Sequence, residues 1–310
     1  MGNWMLVGIA LGLLLPAHAM PETLKIGGTE IQVTFREGAT DLPKTVLLDW
    51  ISKAAQAVSA YYGRFPVSSA RIDVRPRAGH RGITNGTTYG GNGAFTRISV
   101  GEHTTKQDLD EDWMMTHELV HMTFPDMAEE HHWIEEGIAT YVEPIARQQA
   151  GQLSLTKMWS DMAKGMPQGL PESGDRGLDH THTWGRTYWG GALFCLIADA
   201  EIRKATNSRK GLQDALRAIL HAGGNITVDW PIEKAFETGD RPTGTHVVAN
   251  LYEQMKAAPV QTNLPALWKE LGVEVHGDAV SFYDRAPLAA VRAAINGSTK
   301  MHERIGMSPQ

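Results

Sequence analysis

The stretch that decides the fold reads HELVH at positions 117–121, and WIEEGIATY follows it at positions 133–141. On a helix, His117 and His121 lie one turn apart on the same face, so both imidazoles can bind one metal ion. Glu118 lies about 100° further around the same helix, where it can accept a proton from a water on that metal. Catalytic zinc usually has three protein ligands and one open position, so a third ligand is required.

The third ligand is predicted in the second stretch, which is apolar at helical spacing except for an acidic pair, Glu135 and Glu136. Burying a carboxylate is costly unless it is paired or binds a metal. An acidic residue within this apolar pattern therefore indicates a ligand, and we select Glu136. His131 and His132, at the start of the same predicted helix, are alternative ligands. A helix with two surface histidines and no metal is the simpler explanation of the first stretch taken alone.

Other polar residues are candidates for supporting roles. Thr140 and Glu143 follow on the second predicted helix, where they can orient the ligands, although a solvated glutamate explains Glu143 equally well. His180 and His182 lie in a segment of residues 164–184 that is rich in Gly, Pro and polar residues. Loops of this length are usually functional or disordered, so these two histidines are either substrate or metal contacts, or solvated loop residues.

The composition is that of a globular protein. The chain has 310 residues, of which 42% are hydrophobic and 21% are charged, enough for a sizeable core. The net charge is -6 and there is no basic block, so nucleic acid and anionic membrane surfaces are disfavoured as partners. The single cysteine, Cys195, excludes an intrachain disulfide, and its apolar surroundings predict a core position.

The first nineteen residues have the pattern of a secretory signal peptide. Residues 4–15 are an apolar stretch too short to span a bilayer comfortably, and Pro16 and Ala17-His18-Ala19 follow as a small-x-small cleavage site. No Lys or Arg precedes the stretch, so an uncleaved anchor is the alternative. We expect a mature domain over residues 20–310 that is periplasmic or secreted by a bacterium, with no integral membrane span after cleavage.

Sequence patterns predict strands before about residue 105 and helices after it. Alternation of apolar and polar residues indicates strands within 24–35, 71–75 and 94–100, and a hairpin that turns at Gly277-Asp278. Asp108 and Glu111 have the spacing of a capping box for the helix that carries the two histidines. The expected fold is α+β, with the metal site between a strand-rich lobe (about 20–105) and a helical lobe (about 106–310).

The two stretches together resemble the gluzincin metallopeptidases, especially the aminopeptidase N and glycyl aminopeptidase families. Those enzymes pair H-E-x-x-H with W-x-x-E-G-x-x-x-Y, and the resemblance implies that Glu136, directly before Gly137, binds zinc. The later stretch YWGGALF at 188–194 is similar to the family's Y-x-K-G-A-L-F, which implies that Tyr188 stabilises the oxyanion. The resemblance covers roughly residues 92–295 and implies a thermolysin-like, two-lobed zincin domain.

The chain departs from this family at the strand that precedes the zinc helix. Aminopeptidase N members carry G-x-M-E-N there, with a glutamate that holds the free amine of the substrate. The corresponding stretch here is taken as residues 90–94, GGNGA, which has no glutamate. Gly91, Asn92 and Gly93 are therefore predicted to bind the substrate through main-chain hydrogen bonds, and exopeptidase specificity is in doubt.

The sequence thus predicts an exported, zinc-dependent peptidase with one Zn²⁺, which acts on a peptide or protein substrate. Zinc lowers the pKa of its water and polarises a carbonyl, while Glu118 serves as general base. Two alternatives stay open: a zinc-dependent amidase on a non-peptide or cell-wall substrate, and a non-catalytic, zinc-stabilised periplasmic binding protein. Glu118 favours an enzyme, because a purely structural zinc site needs no base.

Overall fold

The computed structural model describes residues 20–297, and the first part of this range forms a five-stranded sheet. The strands are β1 (Glu22–Ile26), β2 (Thr29–Phe35), β3 (Ser69–Arg77), β4 (Ile83–Tyr89) and β5 (Phe95–Gly101). They lie in the order β1-β2-β3-β5-β4. β2, β3 and β5 run parallel, whereas β1 and β4 each pair antiparallel with their neighbour. β4 is therefore an edge strand, which presents backbone N–H and C=O groups on its outer side.

The three inner strands form because their alternate residues are branched and apolar, which suits a pleated, buried surface. The completely buried members of this set are Ile31, Val33, Ile72, Val74, Ile98 and Val100. Parallel neighbours need a crossover connection, and β2 is joined to β3 by helix α1 (Lys44–Tyr62). α1 buries Leu47, Ile51 and Val58 in the same core.

The remainder of the described chain is mainly helical. Its helices are α2 (Lys106–Glu111), α3 (Met114–His121), α4 (His132–Gln149), α5 (Leu155–Gly165), α6 (Gly191–Ala205), α7 (Leu212–His221), α8 (Ile232–Thr243), α9 (Val247–Met255), α10 (Leu264–Leu271) and α11 (Ala289–Ile295). Strands β6 (Val273–His276) and β7 (Ala279–Phe282) form the predicted hairpin. Gly277 has a φ of 60°, the left-handed conformation that this turn requires of a glycine.

Helix α4 lies at the centre of the helical part, where it packs against α1, α3 and α6. Its approach to α6 is close because glycines meet at the crossing. A Cβ added to Gly137 would lie 2.4 Å from the Cα of Gly191, a separation that real side chains do not tolerate. The absence of a side chain at Gly137 therefore fixes the depth at which the preceding residue, Glu136, enters the core.

The predicted capping box is wrong in its position. Thr105 and Asp108 form a capping box at the start of the separate short helix α2. Helix α3 begins only at Met114, where the carboxylate of Asp112 accepts hydrogen bonds from the backbone N–H groups of Met114 and Met115, at 3.1 and 3.0 Å. An acidic side chain at this point satisfies backbone donors that have no partner within the helix.

The predicted change from strands before about residue 105 to helices after it agrees with the structure, a mixed α/β arrangement with the large sheet before residue 102, but strand β4 was not predicted. Cys195 is buried, as its apolar surroundings indicate. The predicted signal segment, residues 1–19, lies outside the described residues, and the boundaries of the domain stay a prediction. Within residues 20–297, no helix combines the length and the apolar character needed to cross a bilayer.

Replacing Ile72 in the central strand tests the contribution of the sheet core. Ile72→Ala removes buried methyl groups at a completely buried position, so we expect a loss of about 2–5 kcal/mol in the free energy of unfolding. The matched control is Val275→Ala on β6, where the side chain is 44% exposed and the expected loss is below about 0.5 kcal/mol. Urea denaturation of both variants measures the difference, and equal losses would contradict this account of the core.

Candidate metal centre

Three side-chain atoms from two helices converge on one point. The Nε2 atom of His117 lies 3.0 Å from Oε2 of Glu136 and 3.2 Å from Nε2 of His121, and the latter lies 3.5 Å from the same Glu136 oxygen. A tetrahedral zinc ion, with bonds of about 2.0–2.1 Å, separates its ligand atoms by about 3.3 Å. The three separations match that value, and two imidazoles with one carboxylate are a donor set of catalytic zinc. The residues present therefore fit a zinc ion.

The electrostatics of Glu136 and His117 also suit a cation, whereas hydrogen bonding with Glu136 outweighs burial and raises the pKa of His121. Burial alone would raise the pKa of Glu136, but hydrogen bonds with His117, His121 and His132 lower it well below the usual range for a carboxyl group. Glu136 is thus a carboxylate in spite of its burial. Burial lowers the pKa of His117, which favours the neutral imidazole that binds metals.

His131 and His132, the alternative ligands, do not belong to the cluster of three donor atoms. His131 directs Nδ1 to Asp179, at 3.3 Å. His132 places Nε2 3.3 Å from Oε1 of Glu136, and Nδ1 3.1 Å from Glu135. His132 thereby holds the second oxygen of the ligand carboxylate, and these hydrogen bonds raise the pKa of His132 to about 10. Sequence reasoning placed His132 near the ligands but did not identify this contact.

The predicted base, Glu118, is held by edge strand β4. Thr88 donates a hydrogen bond from Oγ1 to Oε2 of Glu118, at 2.8 Å. On the same strand, a Cβ at Gly86 would lie 2.6 Å from Oε1 of Glu118, so only a glycine leaves room for this carboxylate. Neither Thr88 nor Gly86 was identified from the sequence, because nothing in the local pattern links them to a helix thirty residues away.

Tyr188 lies beside the donor atoms, in a π-helical turn over Arg186–Gly190 that leads into α6. Its ring stacks on His117, with centroids 6.1 Å apart, and on Trp184, at 5.4 Å. Burial, together with the carboxylate of Glu136, raises the pKa of Tyr188. The phenol therefore stays protonated and can donate a hydrogen bond near the metal position. Single π-helical turns occur frequently at functional sites.

A cleft of about 630 Å³ extends from the donor atoms along β4. Residues 84–89 of the strand line the cleft, as does Gly91 just beyond its end. Asn92 and Gly93 follow in a turn and do not line the cleft, so the edge backbone beside the metal position is that of β4. The side chain of Glu118 lies between this strand and the histidines, within reach of a group bound along the cleft.

Thr140 and Glu143, the two residues of α4 that could orient the ligands, do not contact them through hydrogen bonds. Glu143 accepts a hydrogen bond from Arg147, at 2.9 Å, and burial raises the pKa of Glu143 to about 7. The hydroxyl of Thr140 is buried and has no hydrogen-bond partner among residues 20–297. Neither side chain is hydrogen-bonded to a ligand in the described structure.

A buried carboxylate in the loop of residues 164–184 connects that loop to helix α4. Asp179 accepts hydrogen bonds from Nε1 of Trp133, at 2.8 Å, and from the hydroxyl of Tyr252, at 2.9 Å. Trp133 precedes Glu136 by one turn of α4, so Asp179 fixes the end of the helix that carries the ligand. The buried side chain of Asp179 therefore anchors this loop against α4. His180 and His182, which follow this anchor in the chain, are exposed and do not line the cleft.

Removing one donor tests whether these residues hold a metal. We expect His121→Ala to lower bound zinc from about one equivalent per chain to nearly none, because two remaining ligands bind zinc far more weakly than three. The matched control, His276→Ala in the exposed hairpin, should keep its zinc. Elemental analysis of the purified proteins measures the stoichiometry. Retention of zinc by His121→Ala would exclude this centre.

Comparison with solved structures identifies proteins that have a similar fold. No protein-family model and no curated protein matches the chain. Among solved structures, the chain is similar to an aminopeptidase N family protein from Idiomarina loihiensis, with a TM-score of 0.63 and 13% identity over 83% of this chain and 50% of that one. It is also similar to an M1 zinc metallopeptidase from Deinococcus radiodurans, with a TM-score of 0.50 and 15% identity over 79% and 52% of the two chains.

A mutant of the Deinococcus enzyme bound to a Tyr-Ser-Ala substrate gives a TM-score of 0.51 and 14% identity over 79% of this chain and 53% of that one. The chain thus spans about half the length of the solved structures that it matches. At these identities the similarity shows a common fold. The chain has the fold of the aminopeptidase N and M1 zinc metallopeptidase structures, as the resemblance of its two motifs implied.

Proposed function

We propose that this protein is an exported, zinc-dependent peptidase of the gluzincin type that hydrolyses peptide bonds. The observation that carries the proposal is the convergence of His117, His121 and Glu136 at zinc-ligand separations, with Glu118 beside them under an edge strand. The fold shared with M1 zinc metallopeptidases supports it. One zinc ion bound at this site supplies a Lewis acid that polarises the scissile carbonyl and lowers the pKa of water.

Two side chains would carry the proton and charge changes. Glu118 accepts a proton from the attacking water and then donates it to the leaving amine. The hydrogen bond from Thr88 orients the Glu118 carboxylate for both transfers. Tyr188, protonated at neutral pH, donates a hydrogen bond to the oxyanion that forms on the scissile carbonyl.

The substrate would bind as an extra strand. β4 presents its outer backbone along the cleft, and an extended peptide can pair with it through main-chain hydrogen bonds. In this arrangement the sheet and the helices act as two lobes on either side of the substrate, as in thermolysin-like zincins. Gly91 extends the same surface, and contacts from Asn92 and Gly93 remain predictions.

Residues 1–19 support export, because an apolar stretch and a small-x-small site precede the described domain. We therefore place the activity in the periplasm or outside the cell. Detection of the unprocessed chain in the cytoplasm of the producing bacterium would contradict this placement.

Replacing the proposed base separates catalysis from metal binding. We expect Glu118→Gln to keep zinc and to lower kcat by about 10²–10⁴-fold, since the amide cannot accept the proton. Glu129→Gln, an exposed glutamate close to the start of α4, serves as the matched control with unchanged kcat. Hydrolysis of a mixed peptide library and elemental analysis are measured on the same samples. Near-normal activity in Glu118→Gln would rule out the mechanism.

A comparison of peptides with free and with acetylated amino termini shows whether hydrolysis needs the free α-amine of the substrate. Strand β4, ITNGTTY, carries no carboxylate to hold an amine, so we expect peptides with acetylated amino termini to be cleaved about as fast as free ones. Mass spectrometry of products from paired libraries measures this. A strict need for the free amine would instead indicate an aminopeptidase, and cleavage of cell-wall amides alone would indicate an amidase.

A further inference from the structure

A second cavity opens on the metal centre from the side of the helices. Its volume is about 700 Å³, within the range of specific ligand sites. It shares Trp113, His117 and Tyr188 with the cleft along β4, but its other walls come from α4, α5 and the loop of residues 164–184. We call this cavity the aromatic pocket. The two cavities therefore adjoin beside His117, one of the three donor residues.

Aromatic rings form the entrance of this pocket. Trp113 and Trp184 are 48% and 60% exposed, the two exposed tryptophans among the described residues. Trp113 packs edge-on against His117, at 5.3 Å, and Trp184 stacks on Tyr188. Trp189 adds a third indole to the wall, where Gly165 leaves space for it. Large apolar rings left open to water beside a reaction centre usually mark a binding surface.

The three cations that line the pocket are each paired with a carboxylate, whereas two lining carboxylates, Asp110 and Glu111, form no ion pair among the described residues. Arg147 pairs with Glu143, Lys157 pairs with Asp161, and Lys164 pairs with Asp278. Each cation that lines the pocket therefore already has a carboxylate partner. With no unpaired cation on its wall the pocket disfavours an acidic side chain, and its rings favour an aromatic one, since aromatic pairs contribute beyond the area that they bury.

One polar atom on the pocket wall has no partner. The hydroxyl of Thr140 is buried and makes no hydrogen bond within residues 20–297, although it belongs to a residue that lines the pocket. A buried hydroxyl without a partner is costly, and a ligand with a polar tip would satisfy it. Among aromatic side chains, tyrosine has such a tip and phenylalanine does not.

We propose that the aromatic pocket selects a large aromatic side chain, tyrosine above phenylalanine, on a residue next to the scissile amide. An extended peptide on β4 directs successive side chains to opposite sides, so one residue beside the cleaved bond points toward the pocket. The inference rests on the proposed peptidase function and adds the substrate class. Leu153 also lines the pocket, so a larger side chain at this position would reduce the space for the ring.

The first experiment maps cleavage sites in acetylated hexapeptides that carry Tyr, Phe, Trp or Ala at each position in an alanine background. For the full chain with zinc, we expect kcat/KM to be at least about tenfold higher when an aromatic residue flanks the cleaved bond than when alanine does. Thr140→Val should lower the ratio of Tyr to Phe cleavage toward one. Cleavage without aromatic preference would overturn this inference and leave the peptidase proposal intact.

The second experiment measures binding without turnover. Calorimetry with the metal-free protein, and with zinc-loaded Glu118→Gln, should give at least about tenfold tighter binding of the Tyr peptide than of its Ala analogue. Leu153→Trp, which fills the pocket, should remove the difference. If that variant does not fold, Trp184→Ala should reduce the difference instead, because its side chain is largely exposed and its loss leaves the core intact.

The matched control is Tyr283→Ala, an exposed aromatic residue outside both cavities at the metal centre, which should bind as the unmodified protein does. A preference that survives both Leu153→Trp and Trp184→Ala would overturn the assignment of the pocket. Binding of cell-wall saccharides in place of the aromatic peptides would do so as well. Absence of both peptide binding and hydrolysis, in protein that holds zinc, would refute the peptidase proposal and this inference together.

Discussion

The structure depends on the close approach of three donor atoms, two imidazole nitrogens and one carboxylate oxygen, inside the protein. His117 and His121 come from α3 and Glu136 from α4, and all three are largely shielded from water. A buried carboxylate is tolerated only with charged or hydrogen-bonded partners, so the two helices must hold a fixed distance. Gly137, the residue after Glu136, allows α4 to pack closely against α6, because a side chain at either Gly137 or Gly191 would force α6 away.

The sheet supplies none of the three donor residues, but its edge strand β4 orients Glu118, the proposed base. Thr88 binds the carboxylate of Glu118, and Gly86 leaves the space in which that carboxylate lies. The same strand presents its backbone to the cleft. The strand that would bind a peptide therefore also holds the group that would deprotonate water, and accurate proton transfer needs such fixed positions. His132 orients the carboxylate of Glu136 in the same way, with its Nε2 atom 3.3 Å from Oε1 of Glu136.

Much of the fold and the site is predictable from local patterns. The spacing of the two histidines, the apolar face of α4 and the alternation in β2, β3 and β5 each reflect a period of one element. Predictions failed or fell short where a contact joined distant segments. Asp108 caps α2 instead of the zinc helix, because Asp112 interrupts the chain between them. The edge strand beside the cleft is residues 83–89 rather than 90–94, and of the predicted substrate contacts Gly91, Asn92 and Gly93 only Gly91 lines the cleft.

The sequence by itself determined the chemistry: two imidazoles one helical turn apart, a carboxylate beside them, and a second carboxylate in an apolar helix. These follow from helical periodicity and from the cost of burying charge. Only the tertiary structure decided which residues fix the positions of these side chains and which cavities lie beside them. Thr88 meets Glu118 across thirty residues and Asp179 meets Trp133 across forty-six. The aromatic pocket likewise draws its walls from separate elements. Such contacts arise from the packing of whole elements, which no local period encodes.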